Sequence, residues 1–135
     1  DQEEAELAKL EQTLGVGAKG KGAAKAQRDA RSAIKDLQDQ HKKRAKRRVI
    51  DNLDLVLVDL SGVYRDALIQ KVGAQVDLTH PDFAGLSGEI AQRVSEEGLL
   101  DCQAAITLCR EQLTQNVGTQ TAFDGLVGRL RRACL

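Results

Sequence analysis

From Ala23 to Ser61 the chain contains neither proline nor glycine, and the character of that stretch changes halfway. It opens as AKAQRDARSAIKDLQDQHKKRAKRR and runs directly into VIDNLDLVLVDLSGVYRDALIQKV. A run without punctuation predicts one long helix, residues 23–72, whose halves face different surroundings. The first half is strongly basic and needs water, an acidic surface or a partner. The second half is apolar at helical spacing and needs a core. That contrast points to an assembly element rather than a catalyst.

The rest of the chain fits helices. Tyr64, Phe83 and Phe123 are its only aromatic residues, so the core is built from Leu, Val, Ile and Ala, which suits packed helices better than aromatic-rich strands. With 135 residues it can bury one core. The predicted class is all-α, a bundle of about five helices forming one domain over residues 1–135. The expected elements are an acidic helix at 1–14, a glycine-rich loop at 15–22, the long helix at 23–72, and helices at 83–94, 95–117 and 121–134. Gly73 is the expected terminator of the long helix. Ser95 is the expected N-cap of the next-to-last helix, and Thr121 with Asp124 the expected capping box of the last. The core stripe is read as Val49, Leu53, Val56, Leu60, Val63 and Leu68, widened by Leu57 and Tyr64, against Leu99, Ile106, Cys109, Leu126 and Leu130.

Charge divides the chain unevenly. Residues 1–14 hold five acidic side chains against Lys9, and residues 15–50 hold twelve basic against three acidic. A 50-residue helix is about 75 Å long, far more than one small core covers. A hairpin through the glycine loop would lay the acidic helix, with Ala5, Leu7, Leu10 and Leu14 as its apolar stripe, beside the basic half. No stretch approaches a membrane span or a secretory leader, and the chain lacks methionine altogether. It therefore reads as a cytoplasmic fragment of something longer.

Candidate chemistry is sparse. GVGAKGKG, Gly15–Gly22, approaches the phosphate-binding pattern GxxxxGK[ST], but Gly22 stands where the metal-binding hydroxyl belongs, and no apolar strand precedes it. It reads as a loop, with no cofactor expected. His41 is placed on a solvated helix face and His80 in a loop before Pro81, neither with partners for metal or base chemistry. Cys102 and Cys109 share a helix face and read, with Cys134, as structural thiols of a reducing compartment. The catalytic, cofactor and metal sets are empty, and the chain is not read as an enzyme. The remaining candidates are Lys42, Lys43, Arg44, Lys46, Arg47 and Arg48 in HKKRAKRR, as contacts for a partner or for phosphate. No aromatic residue lies beside them to stack on bases, and charge runs are usually solvated or acid-paired faces.

The segments LDLVLVDLSGVYRDALI, THPDF, SEEGLLDC, CREQLTQNV and TAFDGLVGRL occur in this order. Together they resemble the C-terminal region of bacterial DNA polymerase III delta-prime subunits, components of the clamp loader. The likeness is best over residues 45–135. It implies a helical collar domain that joins the other clamp-loader subunits into a hetero-pentameric ring, so that the sliding clamp can be loaded on DNA. It also implies an ATPase-like module upstream, absent from this fragment, and no catalytic residues in the collar. The resemblance assigns Cys109, Arg110 and Glu111 to helix packing and Asn116 to the turn between the last two helices. Any DNA contact would be indirect, with no membrane and no small-molecule substrate. The alternative function is a basic helical nucleic-acid-binding module, self-sufficient and salt-sensitive.

Overall fold

The structure, a computed structural model, describes residues 2–13 and 22–135. Among these are five α-helices, α1 (Gln2–Thr13), α2 (Ala23–Val72), α3 (Ala84–Arg93), α4 (Glu96–Thr114) and α5 (Thr119–Ala133), with a single 3-10 turn at Pro81–Phe83. No strand occurs among the described residues, and the class is all-α, with the long helix at the expected bounds. The chain divides into two compact units, Asp1–Val49 and Ile50–Leu135, and α2 contributes to both.

The core of the second unit is built on a stripe of α2 that steps alternately by three and four residues: Ile50, Leu53, Leu57, Leu60, Tyr64 and Ala67. Leu57, only 1% exposed, is enclosed by Ala105, Ile106, Cys109, Leu113, Ala122 and Leu126, with Ile50, Leu53, Leu60, Tyr64 and Phe123 around them. A second cluster joins Ala67, Ala91, Val94 and Leu99. The predicted stripe was therefore centred one residue off. Val56 is 58% exposed and Val49 is exposed too, because neighbours in a helix lie about 100° apart and only one of two adjacent heptad rows can face the core. Leu60, a member of the predicted stripe, is only partly buried.

Two helix ends show how short-range chemistry fixes the turns. Gly73 has φ 69°, and Ala74 N–H donates to the Ile69 carbonyl across 3.2 Å, closing α2 with a left-handed cap. Asn116, with φ 61°, does the same for α4, its successor Val117 donating to the Gln112 carbonyl. Ser95 caps α4, its Oγ accepting from Gly98 N–H at 3.0 Å, as expected. The Thr121 capping box is not formed. The left-handed turn at Asn116 brings the chain round so quickly that α5 starts at Thr119, with Gly118 as N-cap. The helix expected at 83–94 is likewise a 3-10 turn followed by α3, and α4 stops at Thr114, short of 117.

The loop after α2 is held by a buried carboxylate. Asp66, fully enclosed, accepts the backbone N–H groups of Thr79 and His80, each at 2.7 Å. Arg65 reaches both Asp66 Oδ1 and Thr79 Oγ1. Gly62 leaves room for the His80 ring, which a Cβ there would strike. Burial alone would raise the Asp66 pKa, but the N–H groups of His80 and Thr79, with Arg65, outweigh it and hold the carboxyl below its ordinary value.

Leu57→Ala is expected to cost about 2–5 kcal/mol in chemical denaturation, whereas Val56→Ala should cost under about 0.5 kcal/mol as an exposed substitution. Asp66→Asn is expected to cost about 2–4 kcal/mol at neutral pH, since two buried donors lose a charged acceptor. Because the folded-state pKa is depressed, Asp66 stabilises fully above its unfolded value near 3.8 and loses that contribution as pH falls through the lower folded value. Unfolding curves of the two proteins should therefore converge below that pH and nowhere above it.

Candidate interaction surfaces

In the first unit, Glu3 and Glu6 are three residues apart and share a face of α1, while His41, Arg44 and Arg48 recur at three and four residues on α2. The two sets meet. Glu6 Oε2 lies 2.9 Å from His41 Nε2 and 3.2 Å from Arg44 Nη2, and Glu3 Oε1 lies 3.3 Å from Arg48 Nη2. His41, expected on a solvated face, is instead only 7% exposed. Its hydrogen bond to Glu6 is the first cause, and that of Arg44 the second, holding the Glu6 carboxyl below its usual range. Ala30, also buried, lies three turns earlier on the same side of α2. The partly buried residues of α1 are Glu3, Glu6, Leu7 and Leu10. Ala5 is exposed, contrary to the apolar stripe read for it, and Leu14 lies outside the described residues.

The six basic candidates thus separate by role. Arg44 and Arg48 are engaged by the carboxylates of α1. Lys42 borders a shallow cleft with Glu3, Glu4, Leu7 and His41. Lys43, Lys46 and Arg47 are exposed. Helical geometry sets Lys46 on the side of α2 opposite Arg44 and Arg48, in line with the exposed Arg28 and Lys35. The legible signal missed in the sequence was the matched spacing of Glu3 and Glu6 against His41, Arg44 and Arg48. The glycine loop lies outside the described residues except for Gly22, which takes φ 79° just ahead of α2.

The second unit presents an apolar surface. Leu55 projects directly away from the buried stripe of α2 and is 64% exposed, and Val58, three residues on, flanks it at 43%. Arg110 clamps α4 to α2 through Asp54, at 2.7 and 3.3 Å, and its guanidinium keeps the Asp54 carboxyl low. Cys109 is buried beside it in the core. Among the described residues no helix is long and apolar enough to cross a membrane.

The fold is all-helical, and a family comparison places it. The family model for the C-terminal region of the DNA polymerase III delta subunit matches residues 24–121. The chain belongs to this family, part of the clamp-loader complex, whose C-terminal domain is structural and non-catalytic. No curated protein and no solved structure matches it significantly. The residues of α1 lie outside the matched segment, as does the end of α5.

Glu6→Lys is expected to release α1 from His41 and Arg44. Amide hydrogen exchange should show faster exchange across Gln2–Glu11, while protection of Ile50–Leu135 stays unchanged. Unaltered protection of α1 would mean that its placement does not depend on this carboxylate.

Proposed function

We propose that the chain is the collar-type oligomerisation domain of a delta-prime subunit, joining it to the other clamp-loader subunits in a hetero-pentameric ring in the cytoplasm. The observation that carries this reading is the outward pair Leu55 and Val58. Large apolar side chains exposed together on a helix already packed on its other side mark a surface for another protein. The segment order from LDLVLVDL to TAFDGLVGRL supports delta-prime within the family. Lys42, Lys43 and Lys46 would supply charge complementarity to an acidic neighbour, which acts on encounter rate and orientation more than on affinity.

A second reading, phosphate contact by the basic half of α2, is favoured by one observation: Lys46 and Lys43 are exposed along with Arg28 and Lys35. Absence of neighbouring aromatic residues restricts it to the sequence-independent, salt-dependent kind.

The two readings separate by reconstitution with partner subunits. Leu55→Asp with Val58→Asp is expected to reduce incorporation at least tenfold without changing the domain's circular dichroism. Charge reversal at Lys42, Lys43 and Lys46 is expected to slow incorporation, more so at low salt. Normal assembly of both variants, with loss of salt-sensitive DNA binding in the second, would replace the scaffold reading by the nucleic-acid one.

A further inference from the structure

The sequence groups Cys102 with Cys109, one helical face and seven residues apart, but the structure pairs it elsewhere. Cys102 Sγ lies 3.9 Å from Cys134 Sγ, across 32 residues of chain. Cys109 stands apart, enclosed in the core built on Leu57. Within the pair the two thiols are unlike. Cys102 is fully buried, whereas Cys134, at the end of α5, is exposed.

The approach is built into the packing of α4 and α5. Gly98 sits one turn before Cys102, and a Cβ on it would run into the Ala133 carbonyl. The missing side chain therefore lets the end of α5 close on the start of α4, and Cys134 follows immediately. Cys134 N–H also donates to the Leu130 carbonyl at 3.0 Å, which keeps its backbone in register with the helix. A disulfide needs the two sulfurs at about 2.05 Å. The two sulfurs already face each other at 3.9 Å, and the exposed Cys134 side chain is the one with room to turn toward its buried partner.

We infer that Cys102 and Cys134 form a reversible dithiol–disulfide pair, with Cys134 as the entry thiol and Cys102 as the resolving thiol, oxidised by a low-molecular-weight disulfide. The Cys134 thiolate attacks one sulfur of the small disulfide RSSR. A Cys134–S–SR bond forms, the R–S–S–R bond breaks, and one RS⁻ departs. The Cys102 sulfur then attacks Cys134 Sγ, the Cys134–SR bond breaks, and the leaving RS⁻ takes the Cys102 proton as RSH. Two protein thiols are oxidised and one RSSR is reduced to two RSH. The order of attack follows from access, since only Cys134 meets the reagent. Protonation points the same way: burial, then the neighbouring Cys134, pushes the Cys102 thiol up to about 12, which makes it a poor first nucleophile, and its second step relies on the closeness of Cys134 Sγ.

The pairing stands independently of the proposed scaffold function. Its test treats the full chain with glutathione buffers of graded oxidised-to-reduced ratio, followed by acid quench, alkylation of free thiols and peptide mapping. The expected product is a Cys102–Cys134 cross-link, two hydrogens lighter, with Cys109 alkylated only after denaturation. Reduction by dithiothreitol should return all three thiols. Oxidation should raise the thermal midpoint by about 5 °C or more, as a cross-link closing a long loop does. Cys134→Ser, a change at an exposed site, should abolish the cross-link and that rise. Gly98→Ala should slow its formation at least threefold by holding α5 off α4. A stable mixed disulfide at Cys134 that Cys102 never displaces would overturn the inference, as would a cross-link involving Cys109 or a Cys134→Ser variant that still gains the thermal shift.

Discussion

Everything in the second unit depends on the burial of one stripe of α2, Ile50 to Ala67, against α4 and α5. The answering face of α4 carries the buried residues Leu99, Cys102, Ala105, Ile106, Cys109 and Leu113, and α3 is short enough to need the end of α2 as its support. Gln70 Nε2 donates to Ser87 Oγ and to the Ala84 carbonyl, and Lys71 Nζ donates to the Ala91 carbonyl. Where α2 passes α4, Gln103 and Ser61 exchange hydrogen bonds in both directions. These polar contacts fix the register of helices whose apolar side chains alone, mostly aliphatic and similar in shape, would tolerate sliding.

In the first unit the same helix solves a different problem. A dense run of lysine and arginine repels itself, and α1 relieves part of that repulsion by placing two carboxylates against one side of the run. The division of labour is sharp enough to separate neighbours in sequence. Arg44 and Arg48 are engaged with α1, and Lys46 between them turns the other way. A substitution scan of HKKRAKRR that treats its residues as equivalent would average two unlike surfaces.

Much of this was legible beforehand. The run free of Pro and Gly predicts a long unbroken α2 through Ser61, Gly73 predicts where it stops, and Ser95 where α4 starts. The failures have physical causes. Val49, Val56 and Val63 recur every seven residues just as Ile50, Leu57 and Tyr64 do, so periodicity alone could not choose between adjacent rows. Nothing in the sequence marks Asp66, because its role depends on two backbone N–H groups brought back by a loop. His41 looked solvated because its partner lies 35 residues earlier. The family match accounts for the domain's class, while the residues that would choose a neighbour or a nucleic acid lie on surfaces that a single chain leaves open.

Tyr64 has a use that packing does not exhaust. It is the chain's only tyrosine, and there is no tryptophan. It lies where the two core clusters meet, and burial pushes its hydroxyl up to about 12, with Cys102 the next cause. Tyrosine emission from this protein therefore originates at a single, half-buried ring. That ring touches the junction of both clusters and the sulfur of Cys102. One ring, and no added label, thus sits in contact with both core clusters and beside a thiol of the chain.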